Sequence, residues 1–147
     1  MKRLFALSAL VFAVPAAAQN MSMAAPASAV STTRGIWHDY ADYVLKSAEQ
    51  MPEANYSYKP VATVRSFGEL LGHVAGAQYS FCAAALGEVP KGEGDIEKTV
   101  TSKAGLVAAM KGSTEYCQRA YAQTDAQAAA MTKFFGSESS RMYVLTL

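Results

Sequence analysis

The sequence predicts an all-α protein, specifically an up-down-down-up four-helix bundle with an incomplete fourth helix. Four segments carry apolar residues at the spacing of a helix that buries one face, and connections containing proline or glycine separate them. The second segment has the clearest start and stop signals and a histidine beside its apolar face. The other segments are therefore interpreted around it.

Residues 1–18 are predicted to be a secretory signal peptide. Lys2 and Arg3 form its charged start, residues 4–14 its apolar core, and the alanines at 16–18 a small-residue cleavage site. The apolar run is too short to cross a bilayer. We therefore expect a periplasmic or secreted protein with no membrane span after cleavage.

Residues 19–31, mainly alanine, serine and methionine, are predicted to be a flexible linker to a single domain covering residues 32–147. Removing the signal peptide lowers the number of Lys and Arg residues from 13 to 11 and leaves 12 Asp and Glu residues, for a net charge of −1. No basic face or charge run is present, so we expect no nucleic-acid partner.

The first helix is predicted from about Thr32 to Gln50. Its inward face is expected to carry the residues that repeat at helical spacing: Ile36, Trp37, Tyr40, Tyr43, Val44, Ser47 and Met51. We interpret this aromatic run as core rather than as a ligand-binding box. His38 lies off the stripe and is interpreted as a surface histidine.

The second helix is predicted to begin after Ser66, which forms a capping box with Glu69, and to end at about Leu86, with Gly87 as its C-cap. The apolar residues of this helix share one face: Phe67, Leu70, Leu71, Val74, Ala77 and Phe81. His73 lies at the edge of that face. It therefore either has a packing partner or faces a site.

Three glycines recur every four residues in the second helix, at Gly68, Gly72 and Gly76. Each costs about 1 kcal/mol of helix propensity relative to alanine. They favour the close approach of another helix or of a ligand. Glu69 lies one turn from His73 and could support a ligand there, although its capping role already explains it.

Residues 87–100 are predicted to be a solvated connection. A third helix then begins at a Thr101 or Ser102 cap and runs to about Ala122. The residues predicted to face inward repeat at helical spacing: Leu106, Ala109, Met110, Ser113, Cys117 and Ala120.

Ser137 is predicted to open a fourth helix. Its apolar residues are Met142, Val144, Leu145 and Leu147. No glycine, closing lysine or proline follows as a stop signal, so we expect the chain to end inside this helix. The alternative is a short terminal turn that docks on the core.

The two cysteines favour a disulfide, because the chain is expected to be exported and the count is even. Cys82 and Cys117 lie at similar depths in helices two and three, so they are level only if these helices run parallel. An antiparallel pair would offset them by about 15 Å, beyond the roughly 7 Å that a disulfide allows. Parallel neighbours need a crossover, and residues 87–100 are long enough for one. The alternative is two separate buried thiols.

The run Tyr56-Ser-Tyr-Lys-Pro60, followed by Val64-Arg-Ser-Phe-Gly-Glu-Leu-Leu-Gly-His73, resembles the second-helix signature of the DinB-like family. The resemblance covers about Ile36 to the C-terminus and implies the same bundle topology. It also implies a divalent metal, Zn or Ni, held by one histidine of helix two and a His-x-x-x-His pair of the last helix. His73 matches the first of these ligands. The chain's other histidine is His38, so the predicted metal site lacks two of its three ligands.

Two functions remain open at this point. The resemblance implies a scaffold derived from a metal-dependent hydrolase or thiol transferase, but one imidazole cannot hold a catalytic zinc, so we expect no catalysis from this chain. The alternative is a non-catalytic periplasmic helical domain that binds a small apolar ligand or a protein partner, with His73 a hydrogen-bonded core histidine.

The incomplete fourth helix also predicts an exposed groove. Four residues would lose their covering helix: Leu70, Val74, Leu106 and Met110. An open apolar surface of several hundred Å² favours self-association, so a homodimer is expected as one outcome.

Overall fold

The structure is a computed structural model that describes residues 27–89 and 95–147. The predicted signal peptide, residues 1–18, and positions 19–26 of the predicted linker lie outside the described residues. The elements are α1 (Ala29–Gln50), a 3₁₀ turn (Glu53–Asn55), α2 (Phe67–Leu86), α3 (Ile96–Thr99), α4 (Lys103–Tyr121), α5 (Asp125–Ala128), β1 (Met131–Phe134), β2 (Ser137–Ser140) and α6 (Arg141–Leu145). The prediction of an all-α fold is confirmed, with one added β-hairpin.

Helices α2 and α4 form a parallel pair at the centre of the fold. At their starts, the Leu106 side chain packs against Gly68. Near their ends, Cys82 and Cys117 form the predicted disulfide, with a Cα–Cα distance of 5.3 Å. Because both pairs lie at matching depths, the two helices run in the same direction, as the cysteine positions predict.

Helices α1 and α6 run antiparallel to this pair. The Lys103 ammonium at the start of α4 donates to the Glu49 carbonyl near the end of α1, at 2.8 Å. The N–H of Val30 near the start of α1 donates to the Asp125 carboxylate beyond the end of α4, at 3.0 Å. Helix α6 packs on α2, with Arg141 beside the C-cap residue Gly87. The resulting order of directions is up-down-down-up.

The boundaries of α2 and α4 follow the predicted caps. The Ser66 hydroxyl accepts from the Glu69 N–H, and the Glu69 carboxylate accepts from the Ser66 N–H at 2.6 Å, completing the capping box. Gly87 closes α2 in the left-handed conformation, with φ of 74°. Ser102 caps α4 through the Gly105 N–H. These ends depend on local chemistry, which sequence patterns represent well.

Helix α1 begins earlier than predicted. Ser28 is its N-cap and Ala29 its first residue, so positions 29–31, which we assigned to the linker, are helical. Two caps hold this start: the Ser28 hydroxyl accepts from the Ser31 N–H at 3.1 Å, and the carboxylate of Asp125 accepts from the N–H groups of Ala29 and Val30 at 3.1 and 3.0 Å. The serine cap is local, whereas the cap from Asp125 belongs to another helix and leaves no signal next to α1 in the sequence.

The predicted inward face of α1 is partly wrong. Three of its large residues are more than half exposed: Ile36, Tyr40 and Tyr43. The buried residues of α1 are smaller: Val30, Ala41 and Ala48. Alanine lets the backbone of a neighbouring helix come close, so α4 packs on the small side, whereas Trp37 and Val44 lie partly buried at its edge.

The predicted fourth helix does not begin at Ser137. Residues 131–140 form an antiparallel hairpin in which Phe134 pairs with Ser137. Ser140 is the N-cap of α6, a helix of five residues. The hairpin forms because Phe135 and Gly136 both adopt positive φ, 47° and 80°, as a two-residue turn requires, and because Phe134 is buried against Phe81.

The predicted open groove is not present as described. Leu106 and Met110 are 1 % and 0 % exposed, so neither lacks cover. Both belong to a core cluster with Ala48, Tyr56 and Leu71, because α1 and the segment after it pack over this side of α4. Leu70, by contrast, is 48 % exposed. None of the helices in the described ranges has the length and apolar character needed to cross a membrane.

Candidate functional site

His73 lies on α2, with half of its side chain exposed, and faces α3. Its Nδ1 atom is 3.2 Å from Oε2 of Glu97. The other carboxylate oxygen of Glu97 accepts from Nε of Arg65 at 2.6 Å. The three side chains therefore form a chain of polar contacts from the start of α2 to α3.

Gly72 makes this arrangement sterically feasible. A Cβ atom at Gly72 would lie 2.7 Å from Cα and 3.1 Å from N of Glu97, closer than real contacts allow. The missing side chain lets the backbone of α3 lie directly on α2, which brings the Glu97 carboxylate to His73. The prediction that the glycines permit a close approach is thus confirmed at Gly72. The same holds at Gly68, against Leu106 and the Tyr56 carbonyl.

The Glu97 carboxylate favours one tautomer of a neutral His73 ring. The hydrogen bond from Arg65 lowers the pKa of the Glu97 carboxyl, so this group is ionised at neutral pH. An ionised carboxylate accepts hydrogen bonds only, so we assign the ring proton of a neutral His73 to Nδ1. Nε2 then carries a lone pair that can accept a proton donor or bind a cation.

The residues do not fit the three-ligand metal site that the resemblance implies. In the described ranges, no group of three His, Cys, Asp or Glu side chains could hold a metal ion. Glu69 is used by the capping box and by Lys59, at 2.9 Å. His38 lies exposed on α1 beside Asp39, as predicted for a surface histidine. Across residues 27–89 and 95–147, Glu97 is the one carboxylate within hydrogen-bond distance of His73.

A cavity of about 300 Å³, here called the inner cavity, lies between α1, α2, the end of α4 and α6. Its lining is mainly apolar and aromatic: Trp37, His73, Val74, Ala77, Gln78, Phe81, Cys82, Tyr121, Val144, Leu145 and Leu147. The rings of Trp37 and Tyr121 stack at 4.4 Å. The Tyr121 hydroxyl donates to the Leu145 carbonyl, and burial raises the pKa of Tyr121 to about 12. Tyr121 is therefore an uncharged part of the cavity lining.

Two polar side chains in the lining of the inner cavity have an atom available to a ligand. His73 lies at its edge, with its Nδ1 committed to Glu97. The amide oxygen of Gln78 is buried and has no hydrogen-bond partner among the described residues. A mainly apolar cavity with few polar groups is the usual form of a small-molecule site.

A second depression of about 400 Å³, here called the outer cleft, lies on the other side of His73. Its lining combines small residues, the polar pair and two aromatic rings: Gly72, His73, Gly76, Ala77, Ser80, Phe81, Glu97 and Phe135. His73, Ala77 and Phe81 line both spaces. The inner cavity and the outer cleft therefore adjoin along one face of α2.

A larger depression of about 930 Å³ lies over residues 58–70 and reaches Glu97. It is the largest of these spaces, but His73 does not line it. Its charged side chains already pair with one another, Lys59 with Glu69 and Arg65 with Glu97. We therefore place the candidate site at His73 rather than here.

Sequence reasoning identified His73 but missed Glu97 and Phe135. Glu97 lies after a long connection, and no periodicity relates it to His73. The one available signal was Gly72, whose missing side chain indicates that a backbone lies against it. Phe135 lies in the turn of a hairpin whose second strand occupies the positions where we predicted the fourth helix to begin.

Comparison with known proteins supports the family resemblance. A family model described as the DinB superfamily matches residues 37–145, which is most of the chain. A comparison with curated proteins found no match. The matched range includes α2 with His73, both cysteines and α6. The chain belongs to the DinB superfamily.

Proposed function

We propose that this chain is a non-catalytic DinB-superfamily domain that binds a small, mainly apolar molecule carrying one hydrogen-bond donor. The observation that carries the proposal is the inner cavity with His73 at its edge. The apolar body of the ligand would fill the cavity. Its donor group, a hydroxyl, a thiol or an uncharged aromatic amine, would lie at the His73 ring.

The size and lining of the cavity support a small ligand. A volume of about 300 Å³ is at the lower end of the range for small-molecule sites, roughly 300–1,000 Å³. Burial of apolar ligand atoms against Trp37, Phe81 and Val144 would supply most of the affinity. Charged ligands are disfavoured because no Asp, Glu, Lys or Arg side chain is among the lining residues, so none would pair with a charged group of the ligand.

His73 supplies the selectivity for a donor. The ionised Glu97 carboxylate holds the proton on Nδ1, so Nε2 accepts a hydrogen bond from the ligand. One such bond contributes about 0.5–1.5 kcal/mol, which corresponds to a preference of roughly two- to tenfold for a ligand with a donor.

The test uses a pair of ligands that differ in this donor, 4-ethylphenol and its methyl ether 4-ethylanisole. We expect saturable binding of 4-ethylphenol by calorimetry, and binding of the ether about two- to tenfold weaker. His73→Ala should remove this preference. Trp37 is the single tryptophan of the chain and lines the cavity, so its fluorescence reports occupancy independently.

A cavity-filling variant provides the structural control. Ala77→Leu places extra atoms at the boundary of the inner cavity and should weaken binding of both ligands. Ala108→Leu makes the same change at an exposed position of α4 and should not. Equal affinity of the wild type and Ala77→Leu for 4-ethylphenol would contradict binding in the inner cavity. No saturable binding by the wild type would refute the proposal.

A second candidate is that His73 is the remaining ligand of a divalent-metal site. One observation favours it: metal-binding histidines usually donate their other ring N–H to a carboxylate, as His73 does to Glu97. A single imidazole does not hold Zn or Ni against water, so we expect wild type and His73→Ala to bind zinc equally weakly, as measured with a zinc indicator. One tightly bound equivalent that is lost in His73→Ala, but not in His38→Ala, would favour this candidate.

The proposal also includes export to the periplasm or beyond the cell, based on the charged start, apolar core and cleavage site in residues 1–18. Cell fractionation followed by mass spectrometry of the intact protein tests it. The expected product begins at or near Gln19. Full-length protein in the cytoplasm would contradict it.

A further inference from the structure

Phe135 occupies a backbone conformation that a phenylalanine adopts at a cost. Its φ is 47°, and it is the one residue other than glycine with positive φ among those described. With Gly136 at φ of 80°, it forms the two-residue turn between β1 and β2. Such a turn, with positive φ at both positions, favours Asn-Gly or Asp-Gly. Nothing in the turn itself requires an aromatic ring.

Within the hairpin the Phe135 ring contacts that of Phe134, with centroids 4.3 Å apart, but this contact buries little of it. Phe135 is 83 % exposed, whereas Phe134 is buried and packs edge-on against Phe81 at 5.0 Å. The hydroxyl of Thr132 donates to the Ala84 carbonyl at 2.8 Å, which attaches β1 to α2. The hairpin is therefore fixed by its strand residues, and the Phe135 ring adds little burial.

The position of Phe135 suggests a different role. Its ring lines the outer cleft together with His73 and Glu97, and lies edge-on to Phe81 with centroids 6.0 Å apart. Gly72 and Gly76 line the same cleft without side chains to fill it. The cleft therefore combines two aromatic rings, a polar pair and room between them.

We propose that Phe135 is a ligand-selecting residue, and that the outer cleft takes a planar aromatic ring of the ligand. This inference rests on the proposed function and specifies its ligand: an apolar group in the inner cavity, a donor at His73, and an aromatic ring in the outer cleft. His73, Ala77 and Phe81 line both spaces, so one molecule with a central donor can occupy both. Aromatic rings attract one another in edge-to-face or offset contacts beyond their area burial, which a saturated ring of similar size does not reproduce.

The test compares diphenylmethanol, which has a hydroxyl between two aromatic rings, with its saturated analogue dicyclohexylmethanol. We expect wild type to bind diphenylmethanol more tightly than either the analogue or 4-ethylphenol. Phe135→Leu keeps an apolar side chain but no ring, and should weaken binding of diphenylmethanol about two- to tenfold. Met131→Ala changes an exposed apolar residue of the same hairpin that lines neither space, and serves as the control.

A second variant separates ligand selection from structure. Phe135→Asn creates the favoured Asn-Gly turn and removes the ring. We expect its thermal midpoint to rise by about 4 °C, since asparagine adopts positive φ more readily, while its affinity for diphenylmethanol falls as in Phe135→Leu. A residue kept for folding would show the opposite change in stability.

The outcomes distinguish this inference from the proposed function. If wild type binds 4-ethylphenol but binds diphenylmethanol no more tightly, the proposed function stands and the role of the outer cleft is refuted. If both variants bind diphenylmethanol like wild type, Phe135 does not select the ligand. If wild type binds none of these probes, the proposed function and this inference both fail.

Discussion

Replacing Gly72 by alanine should destabilise the protein, whereas the same change at Gly35 should stabilise it. Both glycines lie inside long helices, Gly35 in α1 and Gly72 in α2. Either change removes the helix-propensity cost of glycine, a gain of about 1 kcal/mol. The two positions differ in their surroundings: a Cβ at Gly35 meets nothing within 4 Å, whereas one at Gly72 meets the backbone of Glu97 at 2.7 Å.

The expected magnitude follows from these distances. The backbone of α3 cannot yield as the end of a flexible side chain can, so Gly72→Ala forces α3 away from α2. Overpacking of this kind costs about 1–3 kcal/mol, which exceeds the propensity gain at the upper end of the range. Both variants share the propensity gain, so we expect their free energies of unfolding to differ by the overpacking cost alone, about 1–3 kcal/mol, or by roughly 4–12 °C in thermal midpoint. Gly68→Ala, with contacts at 3.2 and 3.3 Å, should lie between them.

Circular dichroism during urea and thermal unfolding provides the measurement, with wild type and the three variants compared under the same conditions. Hydrogen exchange at α3 adds a local readout, because a displaced α3 should exchange faster in Gly72→Ala. If Gly72→Ala were as stable as Gly35→Ala, α3 would not pack on α2 as described. The Glu97–His73 contact would then lose its structural basis.

Two further predictions concern the disulfide and the capping box. The Cys82–Cys117 bridge spans 35 residues of sequence and should contribute about 3–4 kcal/mol by the chain-entropy estimate. A Cys82→Ala/Cys117→Ala variant should therefore have a lower thermal midpoint than wild type. Alkylation of both thiols in exported protein that has not been reduced would contradict the bridge. Hydrogen bonds from the Ser66 N–H and Lys59 lower the pKa of Glu69 from 4.5 to about 2. Its stabilising contribution is therefore full above about pH 4.5 and is lost as the pH falls towards 2. Urea midpoints across this range should fall more steeply for wild type than for Glu69→Gln, and parallel curves would disprove this.

The sequence by itself determined the features that depend on neighbouring residues or on fixed helix geometry. Ser66 and Glu69 stand three positions apart, so they cap a helix wherever it packs. Gly87 ends the helix because it can adopt positive φ. The depths of Cys82 and Cys117 follow from the rise per residue, so their disulfide requires a parallel pair. These arguments need no knowledge of the rest of the chain.

The tertiary structure decided which surfaces meet. Ala41 and Ala48 are buried, and Tyr40 and Tyr43 are exposed, because α4 approaches α1 closely on the alanine side. Hydrophobic periodicity marks which positions are apolar but does not tell how closely a neighbouring helix packs on them. The start of α1 depends on Asp125, distant in sequence, as well as on its local cap Ser28.

The candidate site required the same long-range information. Glu97 reaches His73 because the backbone of α3 lies on Gly72, and Phe135 reaches the outer cleft because a buried Phe134 fixes the hairpin against α2. Sequence identified the imidazole, but the carboxylate that orients it and the cavities beside it arise from segments brought together by packing. Local patterns specify where helices start and end, whereas a binding site depends on the spaces between them.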